Sequence, residues 1–170
     1  MNIEVREATV QDTDSIVRVI KAVYDEYSFA WDPEGYHADL YDLEGYYFAH
    51  GDRFYVAELD GVIQGTGALE IFSPHAEGFA DPLPRIEGCD CSIERVYVHP
   101  EARRRGLGRA ITLRVIEDAR AAGRSKMEIW SDKRFTEAHL LYQNMGARVV
   151  AERICDDPEE SPEWGLSLTL

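Results

Sequence analysis

One stretch, residues 91–130, constrains the fold more than any other. Residues 91–98 read as a strand, and Pro100 stops it because proline has no N–H for a further ladder bond. Alternation places Ser92, Glu94, Val96 and Val98 on one face of this strand and Ile93, Arg95 and Tyr97 on the other. Arg103, Arg104 and Arg105 follow, then Gly106, Leu107 and Gly108. From there an amphipathic helix runs to about Ala122, with Leu107, Ile111, Val115, Ile116, Ala119 and Ala122 on one stripe. Gly123 suits its C-terminal cap, and residues 126–130 form the next strand. Strand, helix and strand in this order close as a parallel pair with a right-handed crossover.

The join between strand and helix carries chemistry. The first amides of a helix lack partners inside it, and the macrodipole is positive at that end. Gly106 and Gly108 carry no Cβ, so an anion can come close to the backbone, and basic side chains stand beside it. This is the physical description of a pyrophosphate seat. A nucleoside-triphosphate loop, Gly-x-x-x-x-Gly-Lys-Ser/Thr, is absent here, and a dinucleotide fingerprint fails because Ile111 stands at its third glycine. What remains is Arg103-x-x-Gly106-x-Gly108. The bland alternative is a solvated arginine run before an ordinary helix.

The rest of the chain surrounds this unit with further strands and helices. Residues 3–7 alternate as a first strand, and Asp12 or Thr13 caps a helix carrying Ile16, Val19, Ile20, Val23 and Tyr27. A second, irregular helical stretch spans 38–50, broken near Gly45. Tyr24, Tyr27, Trp31, Tyr36, Tyr41, Tyr46 and Tyr47 crowd this region, with acidic residues between them. Such a wall can hold an amine, or it can be helix packing with a solvated outer face. Residues 53–59 form a strand, Asp60-Gly61 is a hairpin signal, and 62–72 returns. Gly65 and Gly67 within it mark a bulge or a close approach. Three prolines and two glycines make 73–88 a long loop. Residues 136–144 form the last helix, with Ala138, Leu141, Tyr142 and Met145 on one stripe and Gly146 at its end. Strands at 148–154 and 165–170 close the chain, joined by a loop that contains Asp156, Asp157, Glu159, Glu160 and Glu163.

Composition excludes several classes. The 170 residues suit one domain, 1–170. The net charge of −14 repels nucleic acid and anionic membranes and favours cationic partners, although plain solubility explains it equally. Cys89, Cys91 and Cys155 form no Cys-x-x-Cys pair, and His37, His50, His75, His99 and His139 show no ligand spacing, so no metal is expected. No apolar run spans a bilayer and no signal peptide begins the chain, which makes the cytoplasm the expected location.

The stretch from Glu94 to Ala110, Glu-Arg-Val-Tyr-Val-His-Pro-Glu-Ala-Arg-Arg-Arg-Gly-Leu-Gly-Arg-Ala, resembles the central strand, phosphate loop and helix of the GNAT acetyltransferase superfamily. Ala138-x-x-Leu141-Tyr142-x-x-x-Gly146 resembles its later helix motif, and the element order is similar over nearly the whole chain. Two positions depart: Phe135 stands where the family often has Asn, and Ala147 where it usually has Phe. The resemblance implies an α/β (α+β) fold, with a mixed central sheet of about seven strands, helices on both faces and a V-shaped opening between the fourth and fifth strands. It implies acetyl-CoA as acyl donor and direct transfer of acetyl to a primary amine in a ternary complex. Val96, Tyr97 and Val98 would line the pantetheine arm, and Arg103, Arg104, Arg105, Gly106, Leu107, Gly108 and Arg109 the pyrophosphate, with His139 and Tyr142 also at the cofactor. An N–H near Val96 would steady the developing oxyanion.

Glu94 is the candidate general base, directly or through water; alternatively it only pairs with an arginine or faces solvent. Tyr142 is the candidate acid for the departing thiolate; alternatively it is a core tyrosine. A second functional class is a catalytically weak acyl-CoA-binding sensor of the same fold, which needs the arginine–glycine loop but neither of these groups. A third is an acyl-CoA enzyme using a longer chain or a hydroxyl acceptor. The acceptor amine, small or on a protein, is left open, as is a homodimer.

Overall fold

The computed structural model describes residues 1–72 and 83–170. Eleven elements are numbered here in chain order: β1 (Ile3–Glu7), α1 (Thr13–Tyr27), the single turn α2 (Leu43–Tyr46), β2 (Arg53–Leu59), β3 (Val62–Ile71), β4 (Cys91–Val98), α3 (Leu107–Ala121), β5 (Lys126–Asp132), α4 (Thr136–Asn144), β6 (Arg148–Ile154) and β7 (Pro162–Thr169). The strands form one sheet in the order β1-β2-β3-β4-β5-β7-β6. Among the described residues only the β4–β5 pairing is parallel. The expected loop at 73–88 falls largely on residues outside the described ones. Its end runs back along β5, with the Ile86 N–H donating to Glu128 and Asp90 accepting from the Ser125 and Lys126 amides.

Helices cover both faces. On one, Leu107, Ile111, Val115, Ile116 and Ala119 of α3 and Tyr142 of α4 pack with Tyr55, Leu69, Ile93, Met127, Ile129 and Leu166 of the sheet. On the other, Ile16, Val19, Ile20 and Tyr24 of α1 pack with Leu40, Leu43, Phe54, Val56 and Ala68. Gly65 and Gly67 let α3 lie close: a Cβ on Gly67 would overlap Cγ2 of Ile111. Asp60 and Gly61 both have positive φ, 51° and 82°, which gives the two-residue turn its strand-matching twist.

Three expectations need correction. The 38–50 stretch is irregular and helical as expected, but its breaks fall to either side of Gly45. It is a 3₁₀ turn at Ala38–Tyr41, then α2, then a 3₁₀ turn at Phe48–His50. Gly45 lies inside α2, where its amide donates to Asp42, and Asp42 and Tyr47 are the breaks. The last strand begins at Pro162, because the first residue of a strand can do without its N–H.

The third correction decides the site. Thr66 pairs with Tyr97 but Ala68 with Glu94, so Gly67 faces two residues of β4, Arg95 and Val96. Arg95 takes φ 52° to accommodate the extra residue. The bulge shifts the alternation by one. Cys91, Ile93, Val96 and Val98 pack on the α3 face, whereas Tyr97 packs with the α1 cluster. Ser92 and Glu94 share a face, as expected, but Val96 and Val98 do not share it with them. Just ahead of the bulge β4 also leaves β5: the two pair only over Cys91–Ile93 and Met127–Ile129, and then splay apart.

Candidate active site

The splay opens a groove of about 620 Å³ between β4 and the start of α4. Val96, Tyr97 and Val98 form one wall, and Phe135, Ala138, Leu141 and Tyr142 the other. Its end is closed by Arg103, Arg104, Gly106, Leu107, Gly108 and Arg109. Gly106 caps α3 with φ 91°. The Ala110 amide already donates to the Gly106 carbonyl, whereas the three amides before it have no partner within the helix. A Cβ on Gly108 would meet Leu141 at 3.6 Å and Val98 at 3.7 Å, so glycine keeps the groove open where those walls converge. These features fit an extended ligand ending in a pyrophosphate.

The arginines stand in different surroundings. Arg103 makes two bonds, 2.9 and 2.6 Å, to Glu26 of α1 and so ties that helix to the loop. Arg104 is exposed and lies 3.3 Å from Glu137. Arg105 is exposed and does not line the groove, and Arg109 does. His139 does not line it either. It is buried on the β5 side of α4, with Nε2 3.1 Å from the Ser131 hydroxyl. Burial lowers its pKa and keeps the ring neutral.

A second cleft, about 400 Å³, opens on the α1 face of the sheet. It meets the groove at Val96, Tyr97, Phe135, Ala138 and Tyr142, which line both. Burial pushes the Tyr142 hydroxyl pKa up, with Tyr97 adding to it, so it stays protonated and able to donate. Glu94 lines the second cleft and accepts the Ser92 hydroxyl at 2.7 Å. Burial first, and Glu70 next, push its carboxyl up to about 7, while the Ser92 bond and the arginines Arg95 and Arg153 pull the other way.

The remaining wall is built from paired groups. The bulge aims Arg95 at Asp39, which it meets at 2.7 and 3.0 Å, and at the Tyr36 carbonyl at 2.7 Å. The Tyr47 hydroxyl donates to the same Asp39 at 2.5 Å. Arg153 of β6 pairs with Glu163 of β7 at 2.7 Å and lies over the Trp130 ring. Arg85 pairs with Glu70 at 2.9 Å and Glu128 at 3.5 Å. Of the aromatic wall read from the sequence, Tyr24, Tyr36, Tyr46 and Tyr47 line this cleft and Tyr27 the groove. Trp31 and Tyr41 line neither, and bond to each other. Of the carboxylates expected in the loop between the last two strands, Asp157 is buried and accepts the Ser161 amide and hydroxyl, and Glu163 is buried within β7. Asp156, Glu159 and Glu160 are exposed.

The sequence reading missed Glu70, Arg85, Arg95 and Glu128 as site residues. Glu70 and Glu128 carried a signal, since each is a charge flanked by apolar residues within a strand, Leu69 and Ile71 for one and Met127 and Ile129 for the other. Arg95 carried none, because its placement depends on the bulge.

Residues 19–147 match the model of the family described as Acetyltransferase (GNAT) family. YjgM of Escherichia coli (strain K12), named as an uncharacterized N-acetyltransferase, is 29% identical over 144 residues, 83% of this chain and 79% of its own length. The mycothiol acetyltransferase of Thermobispora bispora is 33% identical over 96 residues, 55% of this chain but only 29% of that longer protein. Among solved structures, an acetyltransferase from Streptococcus agalactiae 2603 superposes with a TM-score of 0.74 at 17% identity, covering 99% of this chain and 98% of that one. The structure of yncA from Salmonella typhimurium, solved with its cofactor acetyl-CoA, gives 0.72 at 20% identity, covering 100% and 95%. These structures share the fold, and the family match covers most of the chain: this protein belongs to the GNAT acetyltransferase family.

Proposed function

We propose that this acetyltransferase moves an acetyl group from acetyl-CoA directly to a primary amine, on a small cationic molecule or a protein, with donor and acceptor bound together. The observation that carries the reading is the meeting of the two clefts at Val96, Tyr97 and Tyr142. Acetyl-CoA, when bound, supplies an activated thioester. The first-turn amides of α3 and Arg109 hold the pyrophosphate. The β4 backbone beyond Ile93 has no partner on its β5 side among the described residues, so its N–H and C=O groups are free to pair with an extended pantetheine arm. Glu94 takes the proton from the acceptor amine, directly or through water, and the Tyr142 hydroxyl gives one to the leaving sulfur.

The acceptor cleft is lined by nine carboxylates, Asp39, Asp52, Glu70, Glu94, Glu128, Asp132, Asp156, Asp157 and Glu163, against three arginines, Arg85, Arg95 and Arg153. That excess draws a cation. The test is a panel of polyamines, aminoglycosides, small amines and lysine or N-terminal peptides with acetyl-CoA, read by thiol release. Turnover of one cationic class is the expected result. Binding of acetyl-CoA with no amine acetylated overturns it and favours a sensor of the same fold.

A further inference from the structure

The floor of the acceptor cleft holds groups that the mechanism above does not use. Ser92 of β4 is buried beside Glu94. β3 places Glu70 directly opposite Ser92, and β5 places Glu128 in register with it on the other side. Glu94 follows two residues along and accepts the Ser92 hydroxyl. Three carboxylates thus share one sheet face around one serine, and all three line the cleft. Arg85, from the segment leading into β4, bridges the outer two, at 2.9 Å to Glu70 and 3.5 Å to Glu128, with its guanidinium over the Phe72 ring.

The other charged or titratable groups facing Glu94 come from several elements. Arg95 on its own strand and Arg153 on β6 both face it, but each already holds a carboxylate, Asp39 and Glu163. Tyr47, after α2, stands near it with its hydroxyl on Asp39, and Asp52, ahead of β2, lines the same cleft and accepts the Ile71 amide. Among these neighbours, the Glu70–Arg85 pair is the one half-open to solvent.

We propose that Glu70 and Arg85 are positioning residues for acetyl transfer: their ion pair sets the charge that faces Glu94, and so the pH above which Glu94 accepts the acceptor's proton. The proposal rests on the reading of Glu94 as base. The two partners act with opposite sign. Glu70 repels an ionised Glu94 and holds the proton on. Arg85 neutralises Glu70 and Glu128 and lets the proton leave. A residue that only braced the fold would show no such opposition.

The experiment follows the Glu94 carboxyl directly, by NMR of protein carrying ¹³C at the glutamate carboxyl, with the signal assigned by its loss in Glu94→Gln. In parallel, kcat/KM is measured against pH with one acceptor, so that the amine's own ionisation is common to all variants. Arg85→Gln should raise the Glu94 midpoint and Glu70→Gln should lower it, each by roughly 0.5–1 pH unit at low salt. Arg85→Lys should restore the wild-type midpoint, and the acid limb of kcat/KM should move with the NMR midpoint. If Arg85→Gln fails to fold, the downward shift in Glu70→Gln alone decides. Midpoints that stay put, or move the same way in both variants, overturn the proposal while leaving Glu94 as base if Glu94→Gln still abolishes the limb. NMR shifts with an unmoved kinetic limb overturn the base reading, and the proposal with it.

Discussion

Glu94 has to be unstable as an ion to be useful as a base. Its carboxyl is raised to about 7 from 4.5, chiefly by burial. Between those two values the folded chain keeps a proton that the unfolded chain has released, so stability falls as pH rises through that window, and the cost is complete above it. Glu94→Gln should therefore raise the free energy of unfolding at pH 8, by on the order of 1–3 kcal/mol, and leave it unchanged at pH 4. The same variant should lose about 10²–10⁴-fold in kcat/KM near neutrality, with the deficit shrinking at high pH, where more of the amine is already deprotonated. A uniform loss at every pH would mark a structural role. Tyr142 is the complementary case. No hydrogen bond to its hydroxyl is found among the described residues, while its ring is buried in the core. Tyr142→Phe should keep melting behaviour and acetyl-CoA affinity and lose roughly ten- to a thousandfold in turnover. Full turnover in that variant would remove Tyr142 from the chemistry.

At the scale of elements, α3 and β3 are fitted to each other at two glycines. Gly67→Ala would push a methyl against Ile111 and should cost about 1–3 kcal/mol by denaturant unfolding. Ile111→Ala removes the clashing Cγ2, so the double variant should lose less than the sum of the two single costs. Additive losses would show that the close approach does not matter. Gly108 behaves differently, because its neighbours stand at ordinary contact distance and its φ needs no glycine. Gly108→Val should fold normally by circular dichroism and lose measurable acetyl-CoA binding by calorimetry, since the new side chain fills the groove. Unchanged affinity would place the pyrophosphate elsewhere.

For the whole molecule, the net charge of −14 matters where a cation approaches the acceptor cleft. The screening length falls from about 30 Å at 0.01 M salt to about 8 Å at 0.15 M. The KM of a cationic acceptor should therefore rise with salt. Asp156→Asn with Glu160→Gln should raise KM and flatten that slope, because both side chains are exposed. Glu163→Gln belongs to another class: it strands Arg153 beside Trp130 and should lower stability first. A KM indifferent to salt in the wild type would exclude steering.

Local signals in the sequence determined most of the elements, the parallel crossover, the glycine-capped start of α3, the Asp60-Gly61 turn and the apolar stripes of α3 and α4. Each depends on neighbours in the chain: a capping position, a period of 3.6 or 2, a proline that cannot donate. The same signals singled out Glu94, Tyr142 and the arginine–glycine loop. What only the tertiary structure decided follows from one inserted residue. The bulge at Arg95 turns Val96 and Val98 away from the Glu94 face, delivers Arg95 to Asp39 and lies just after the point where β4 parts from β5. Alternation counted along the chain cannot detect it, because a bulge is defined by what the partner strand lacks. That Arg103, at the end of the groove, also ties down α1 through Glu26 likewise depends on a helix distant in sequence. Glu70 and Glu128 came to flank Ser92 through strand register, which long-range packing sets.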